Sequence, residues 1–117
     1  MSYVEVYVAP VPNEQKETYM KHCANMNAVF KEHGALRAID SWGADIPDGE
    51  VTSFPIAVKA GEGETVCIGW VEWPDKQSRD KGMEAAMADK RMQEEFEHMP
   101  FDGKRLIFGG FEVFNDS

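Results

Sequence analysis

The 117-residue chain carries 21 acidic and 12 basic side chains, a formal charge of −9 at pH 7, and two cysteines. That balance argues against nucleic acid as a partner, because such binding draws its affinity from Lys and Arg neutralising phosphates. The length predicts one domain, residues 1–117, large enough to bury a core without disulfides or metals. No stretch is long and apolar enough to cross a membrane or ordered like a signal peptide, so a cytoplasmic protein with free Cys23 and Cys67 is expected.

Tyr3 to Ala9 alternates, with Val4, Val6 and Val8 on one side and Tyr3, Glu5 and Tyr7 on the other, which predicts a strand ended by Pro10 and Pro12. Asn13 can cap a helix running to His33, with Gly34 as its stop. Tyr19, Cys23, Met26 and Phe30 fall on one stripe of that helix. Ala35 to Asp45 reads as a second strand and Pro47-Asp48-Gly49 as a turn. Val51 to Lys59 reads as extended, an edge or irregular piece because of Pro55. Gly61-Glu62-Gly63 then turns into a strand, Thr65 to Trp73. Asp75 or Ser78 starts a helix that buries Met83, Ala86 and Met87. Asp89 caps a short helix ending near His98. A turn at Pro100 to Gly103 leads to a last strand, apolar on both faces, through Leu106, Phe108 and Phe111.

This order predicts an α+β, ferredoxin-like βαββαβ fold with an extra extended segment. Both main helices then lie on one face of an antiparallel sheet. If the Val4/Val6/Val8 side meets the helices, the other face carries Tyr3, Tyr7, Val66, Ile68, Trp70, Leu106 and Phe108. An apolar patch of that size is a liability on a monomer. Face-to-face pairing of two sheets removes it, which predicts a homodimer burying roughly 2,000 Å² or more.

Trp42-x2-Asp45-x-Pro47-Asp48-Gly49, Phe54-x2-Ala57-Val58-Lys59-Ala60, and Met99-Pro100-Phe101-Asp102-Gly103-Lys104-Arg105 with Gly109-Gly110-Phe111-Glu112 together resemble the YbaA-like proteins of bacteria. These uncharacterised proteins belong to the dimeric α+β barrel superfamily. The resemblance spans nearly the whole chain and departs at Lys90, where proline would suit the first helical position. It implies the fold and the dimer but no catalytic residue. The wider superfamily holds monooxygenases, haem-degrading enzymes, isomerases and stress-related proteins, and a shared fold says little about chemistry.

Candidate sites are few. His22 and His33 sit on one helix, roughly 16 Å apart along it, too far to share a metal. His98 with Glu94 and Glu95 reads either as a weak cation site or as a solvated helix end. No metal site and no cofactor are expected from these spacings. Cys23 and Cys67 read as buried thiols. Glu5, Glu72 and Glu112 share the parity assigned to the dimer face, and antiparallel order gathers them at one end of the sheet. Such a cluster is either a site, as a candidate catalytic base or a holder of a cation, or a hydrated rim. Arg79, in the first turn of its helix, reads either as a bridge to a buried carboxylate, with Asp40 or Asp45 as partner, or as a group that binds a ligand anion. Trp42 beside them either walls a small ligand-binding cleft or fills core.

Two functional readings follow. One is a homodimer with a small-molecule pocket in each subunit, by analogy an enzyme of the cofactor-free monooxygenase or isomerase kind. The alternative is a non-catalytic, ligand-binding or stress-associated dimeric protein.

Overall fold

The computed structural model describes residues 2–117. Four strands, β1 (Tyr3–Pro12), β2 (Arg37–Trp42), β3 (Glu64–Trp73) and β4 (Ile107–Glu112), form one antiparallel sheet in the order β2-β3-β1-β4. Four helices accompany them: α1 (Lys16–Glu32), α2 (Phe54–Ala57), α3 (Lys76–Ala88) and α4 (Lys90–Glu97). This is the ferredoxin-like arrangement expected from the element order, with α1, α3 and α4 layered on one face.

Local chemistry accounts for most boundaries. Helix α1 buries Tyr19, His22, Cys23, Val29 and Phe30. It stops at Gly34, whose φ of 111° suits glycine alone. There Ala35 N donates to Phe30 O (3.0 Å) and Gly34 N to Lys31 O (3.3 Å), the paired bonds of a Schellman ending. Asp75 caps α3 by accepting from Ser78 N at 2.7 Å, and Asp89 caps α4 by accepting from Arg91 N at 3.0 Å.

Strand β2 is shorter at both ends than the Ala35 to Asp45 read for it, and three further boundaries differ from expectation. Strand β1 continues through Pro10 to Pro12. Strand β4 reaches only Val8, so these prolines lie where β1 has a neighbour on one side, and a missing N–H is tolerated there. Asn13 opens a 3-10 turn without capping it. Its side chain instead accepts from the Thr65 hydroxyl, tying the turn to β3. The extended segment expected over Val51 to Lys59 is instead the single-turn helix α2. Ser53 Oγ accepts from Ile56 N at 3.1 Å, and Pro55 in the first turn fits helical φ.

The faces of the sheet are the larger correction. Tyr3, Glu5 and Tyr7 of β1 look toward the helices, with Val71 and Trp73 of β3 and Phe108 of β4 as same-face neighbours. Val4, Val6, Val8, Ile39, Ile68, Trp70, Ile107 and Phe111 occupy the open face. Tyr3, Tyr7, Leu106 and Phe108 therefore leave the patch predicted to be the dimer face, whereas Ile68 and Trp70 stay on it. Val66, at the far end of that face, is buried beside Ala44, Ile46 and Pro55. Alternation alone favours the valine side as core. The polar tips of Tyr7 and Glu5 reverse the choice, because both find partly buried partners on the helix side.

Two clusters hold the helix layer. Val29, Phe30, Ala35, Val71, Trp73, Ala86 and Met92 form one, and Ala9, Val11, Tyr19, Cys23 and Cys67 the other. Arg105, in the Met99–Arg105 motif, grips Glu64 with two nitrogens (2.8 and 2.7 Å) and donates to Lys59 O at 2.9 Å. This bidentate grip lowers the Glu64 carboxyl below its usual range and clamps the start of β4 to the turn before β3.

Candidate functional site

Between sheet and helices lies a cavity of about 290 Å³. Strand β1 contributes Glu5 and Tyr7 to its wall, and α1 contributes Tyr19, His22, Cys23, Met26 and Asn27. Met83 and Met87 come from α3 and Phe96 from α4, while Met99, Phe101, Leu106 and Phe108 close the remaining side. The wall is overwhelmingly apolar, with four methionines and six phenylalanine or tyrosine rings between the helices and the mouth. Phe108 is 67% exposed, so the cavity opens at the β4 edge.

Three polar groupings touch this apolar space. In the first, the Tyr7 hydroxyl donates to Asp40 Oδ1, and Asn27 Nδ2 donates to Asp40 Oδ2 at 2.7 Å. Tyr7 and Asp40 stand on strands flanking β3 and both pair with Gly69. A Cβ at Gly69 would collide with the Tyr7 ring and the Asp40 carboxylate, so glycine there is what lets the two meet across a strand. Burial, reinforced by the adjoining carboxylate, pushes the Tyr7 hydroxyl far above its ordinary pKa.

The second grouping joins α1 to α4. His22, 5% exposed, engages Glu95 Oε1 through Nδ1 at 2.7 Å, and Asn25 Nδ2 donates to Glu95 Oε2 at 2.9 Å. Tyr19 stacks near the imidazole at 6.3 Å, and Phe101 meets it edge-on at 6.3 Å. The third grouping closes the far end. Arg79 Nη1 donates to Glu5 Oε2 at 2.5 Å, Nη2 to the Tyr3 hydroxyl at 3.3 Å, and Nε to Asp80 at 2.8 Å. The guanidinium lies 4.7 Å over the Tyr3 ring. Gly110, opposite Glu5, supplies the room, since a Cβ there would strike the Tyr3 ring and the Arg79 head.

The residues singled out in the sequence distribute as follows. Glu5 reaches the cavity wall, bound to Arg79. Glu72 lies on the opposite face, taking Trp70 Nε1 at 3.2 Å and Arg37 at 3.7 Å. Glu112 is exposed at the end of β4. All three do stand near one end of the sheet, as antiparallel order requires, but on two faces, so they do not form one carboxylate cluster. Arg79 finds its carboxylate on β1, at Glu5, rather than at Asp40 or Asp45 on or after β2. Asp45 is exposed. Asp40 and Trp42 line a second, shallower groove on the other flank of α1, where Lys16 Nζ sits 5.0 Å over the indole. Asp40 thus lies between the groove and the cavity, its carboxylate held by Tyr7 and Asn27. Among the described residues no group of three or more His, Cys, Asp or Glu side chains is placed to hold a metal. Both cysteines are free and buried, and burial lifts their thiols to about 12 for Cys23 and about 11 for Cys67.

Sequence reasoning missed His22, Glu95 and Tyr7 as cavity groups. Local spacing held part of the signal. His22 follows Tyr19 by three residues and borders the apolar stripe, which directs its ring inward. Its partner lies 73 residues away, where no periodicity could point to it.

Known proteins place this architecture. A family model described as "Protein of unknown function (DUF1428)" matches residues 2–103. The chain is 48% identical over 116 residues to the uncharacterized protein YbaA of Escherichia coli strain K12, covering 99% of each, and equally to that of Shigella flexneri. Among solved structures, Rv0793 from Mycobacterium tuberculosis superposes with a TM-score of 0.63 at 7% identity, covering 100% of this chain and 99% of that one. A dimeric ferredoxin-like protein from an uncultured marine organism gives 0.59 at 10% identity, over 99% and 93%. SnoaB from Streptomyces nogalater, a cofactor-independent oxygenase, gives 0.58 at 15% identity, over 98% and 95%. Identities this low carry the fold alone. The sequence relationship is stronger and covers the elements that build the cavity: the chain belongs to the DUF1428 family.

Proposed function

We propose that the chain acts as a homodimer with one small-molecule pocket per subunit, set between sheet and helices and suited to a mainly apolar ligand. The observation that carries this reading is the cavity itself: about 290 Å³, walled by methionine and aromatic side chains, with polar groups entering at three points. The dimer is supported by the unpartnered open face, where Ile107 is 43% and Phe111 56% exposed. A dimeric ferredoxin-like protein among the structural neighbours supports it too.

An enzymatic version, a cofactor-free oxygenase or isomerase, takes support from the kinship of fold with a cofactor-independent oxygenase. A histidine oriented by a carboxylate on the wall of an apolar cavity adds to that support. The alternative, a pocket that binds without reacting, is favoured by one specific fact. Tyr7 and Glu5 are each committed to a protein partner, so two of the three polar groupings serve structure first.

The pocket is tested by thermal unfolding with 4-nitroanisole, an apolar aromatic probe. At ten times its Kd the probe should stabilise the protein by about 1.4 kcal/mol, a shift of several degrees. Met83→Trp, which fills the cavity from α3, should remove the shift. A melting temperature indifferent to this probe would count against an open ligand pocket.

A further inference from the structure

We infer that the cavity takes a weakly acidic hydroxyl compound, a phenol or an enol, whose proton is accepted by Nε2 of His22, with Glu95 as the positioning residue. The inference rests on the pocket reading above and deepens it.

The tautomer follows from the partners. An ionised carboxylate only accepts hydrogen bonds, so Nδ1 of His22 must donate to Glu95. Neutral imidazole then carries its lone pair on Nε2. Among the described residues no protein group bonds Nε2, and Trp73 Nε1 is the buried side-chain polar atom that lacks a partner. Nε2 is not among the fully buried atoms that lack a partner, so it keeps some accessible surface, and the ring that carries it lines the cavity. Glu95 is itself fixed by Asn25, so the base is held by a carboxylate that is held in turn.

The surroundings narrow the ligand. Its body must be apolar and suits a planar ring, because Met26, Met83, Met87 and Met99 share the wall with aromatic rings. Its polar part is one donor, since Tyr7 and Glu5 are already bound. It must arrive uncharged. Arg79 and Glu5 neutralise each other, which leaves the Glu95 and Asp40 carboxylates as the charges beside the space. A carboxylic acid, ionised before entry, would be repelled. The titratable groups beside the imidazole are Glu95 from α4 and Tyr19 and Cys23 from α1, the last two kept protonated by burial; Phe101 closes the other side.

The step is a proton transfer. The ligand O–H bond breaks, an N–H bond forms at Nε2, and the electron pair stays on the ligand oxygen. Net charge in the cavity is unchanged. The imidazolium so formed lies between the Glu95 carboxylate and the new oxyanion, each of which stabilises it.

The test compares 4-nitrophenol with 4-nitroanisole on the full-length protein, reading affinity and the visible nitrophenolate band at a pH where the free phenol is half neutral. 4-Nitrophenol should bind about tenfold to a hundredfold more tightly than the anisole, the gain of one hydrogen bond to a charged group, and be more ionised when bound than when free. His22→Phe should erase both the preference and the excess nitrophenolate while still binding 4-nitroanisole. Glu95→Gln, a milder change less able to disturb folding, should keep anisole binding and lower the ionised fraction. Equal affinity for the two probes, or a nitrophenolate band unmoved in Glu95→Gln and His22→Phe, would overturn the role of His22 but leave the pocket standing. Failure of both probes to bind would overturn the pocket and this inference together.

Discussion

The two faces of the sheet solve opposite problems with similar residues. The face toward the helices carries Tyr3, Glu5, Tyr7 and Asp40, yet each polar tip has a partner, and glycines at 69 and 110 clear the space for those partners. The open face carries valine, isoleucine, tryptophan and phenylalanine, partly exposed throughout and most so at Ile107 and Phe111. Hydrophobicity by itself assigns these faces the wrong way round. Satisfying a buried polar group depends on what lies opposite, whereas apolar side chains can be covered by any apolar surface, including a second copy's. The polar face is therefore specific to this chain's own tertiary contacts, and the apolar face is available to a partner.

The sharpest way to break this contrast is to charge the open face. In the proposed dimer, Trp70→Glu places an unpaired carboxylate in the middle of the contact and should convert the dimer to monomer, read by sedimentation. The same experiment on the unsubstituted chain must show a dimer. A monomer there would leave the open face without its assigned partner.

The helix-side face should fail differently, by losing stability. Arg79→Met leaves Glu5, only 13% exposed, without its cation. Removing one member of such a buried pair should cost about 3 kcal/mol in denaturant unfolding. Arg79→Met combined with Glu5→Met, which leaves no charge behind, should recover most of that loss. If the double variant is no better than the single, the pair is not the source of the cost.

The smallest expected effect comes from Gly69→Ala, which adds one methyl group between Tyr7 and Asp40. Overpacking of this kind costs about 1–3 kcal/mol, and the displaced hydroxyl and carboxylate should also narrow the cavity and weaken 4-nitroanisole binding. Gly63→Ala is a useful contrast. No atom crowds a Cβ there, so its cost should come only from the positive φ of 77°.

Much of the fold was legible because its signals are local. Gly34, Asp75 and Asp89 mark helix ends through bonds spanning two to five residues, and they do so in the structure. The strand order follows from connectivity once the element order is known. The short helix α2 was also signalled locally, by Ser53 followed by Pro55, but the proline invites an extended reading. The candidate site was less legible. Of the residues proposed as catalytic or ligand-binding, Glu5 alone lies on the cavity wall, and its partner is Arg79 rather than other carboxylates. Parity placed Glu72 with Glu5. The register Val4 to Glu72 puts them on opposite faces, because side chains alternate and a shift of one position changes the face.

Local signals along the chain were enough for the main strands and helices, the ends marked by Gly34, Asp75 and Asp89, the ferredoxin-like order, and the surplus of apolar residues on the sheet. Each depends on neighbours along the chain or on composition. Long-range packing alone set which side of β1 lies inward, and hence where that surplus is exposed and which polar groups meet in the cavity. Tyr7 reaches Asp40 across 33 residues, His22 reaches Glu95 across 73, and Arg79 reaches Glu5 across 74. Those pairings exist because strand register and helix packing bring distant carboxylates under the same layer, and burial then makes each unpartnered alternative costly.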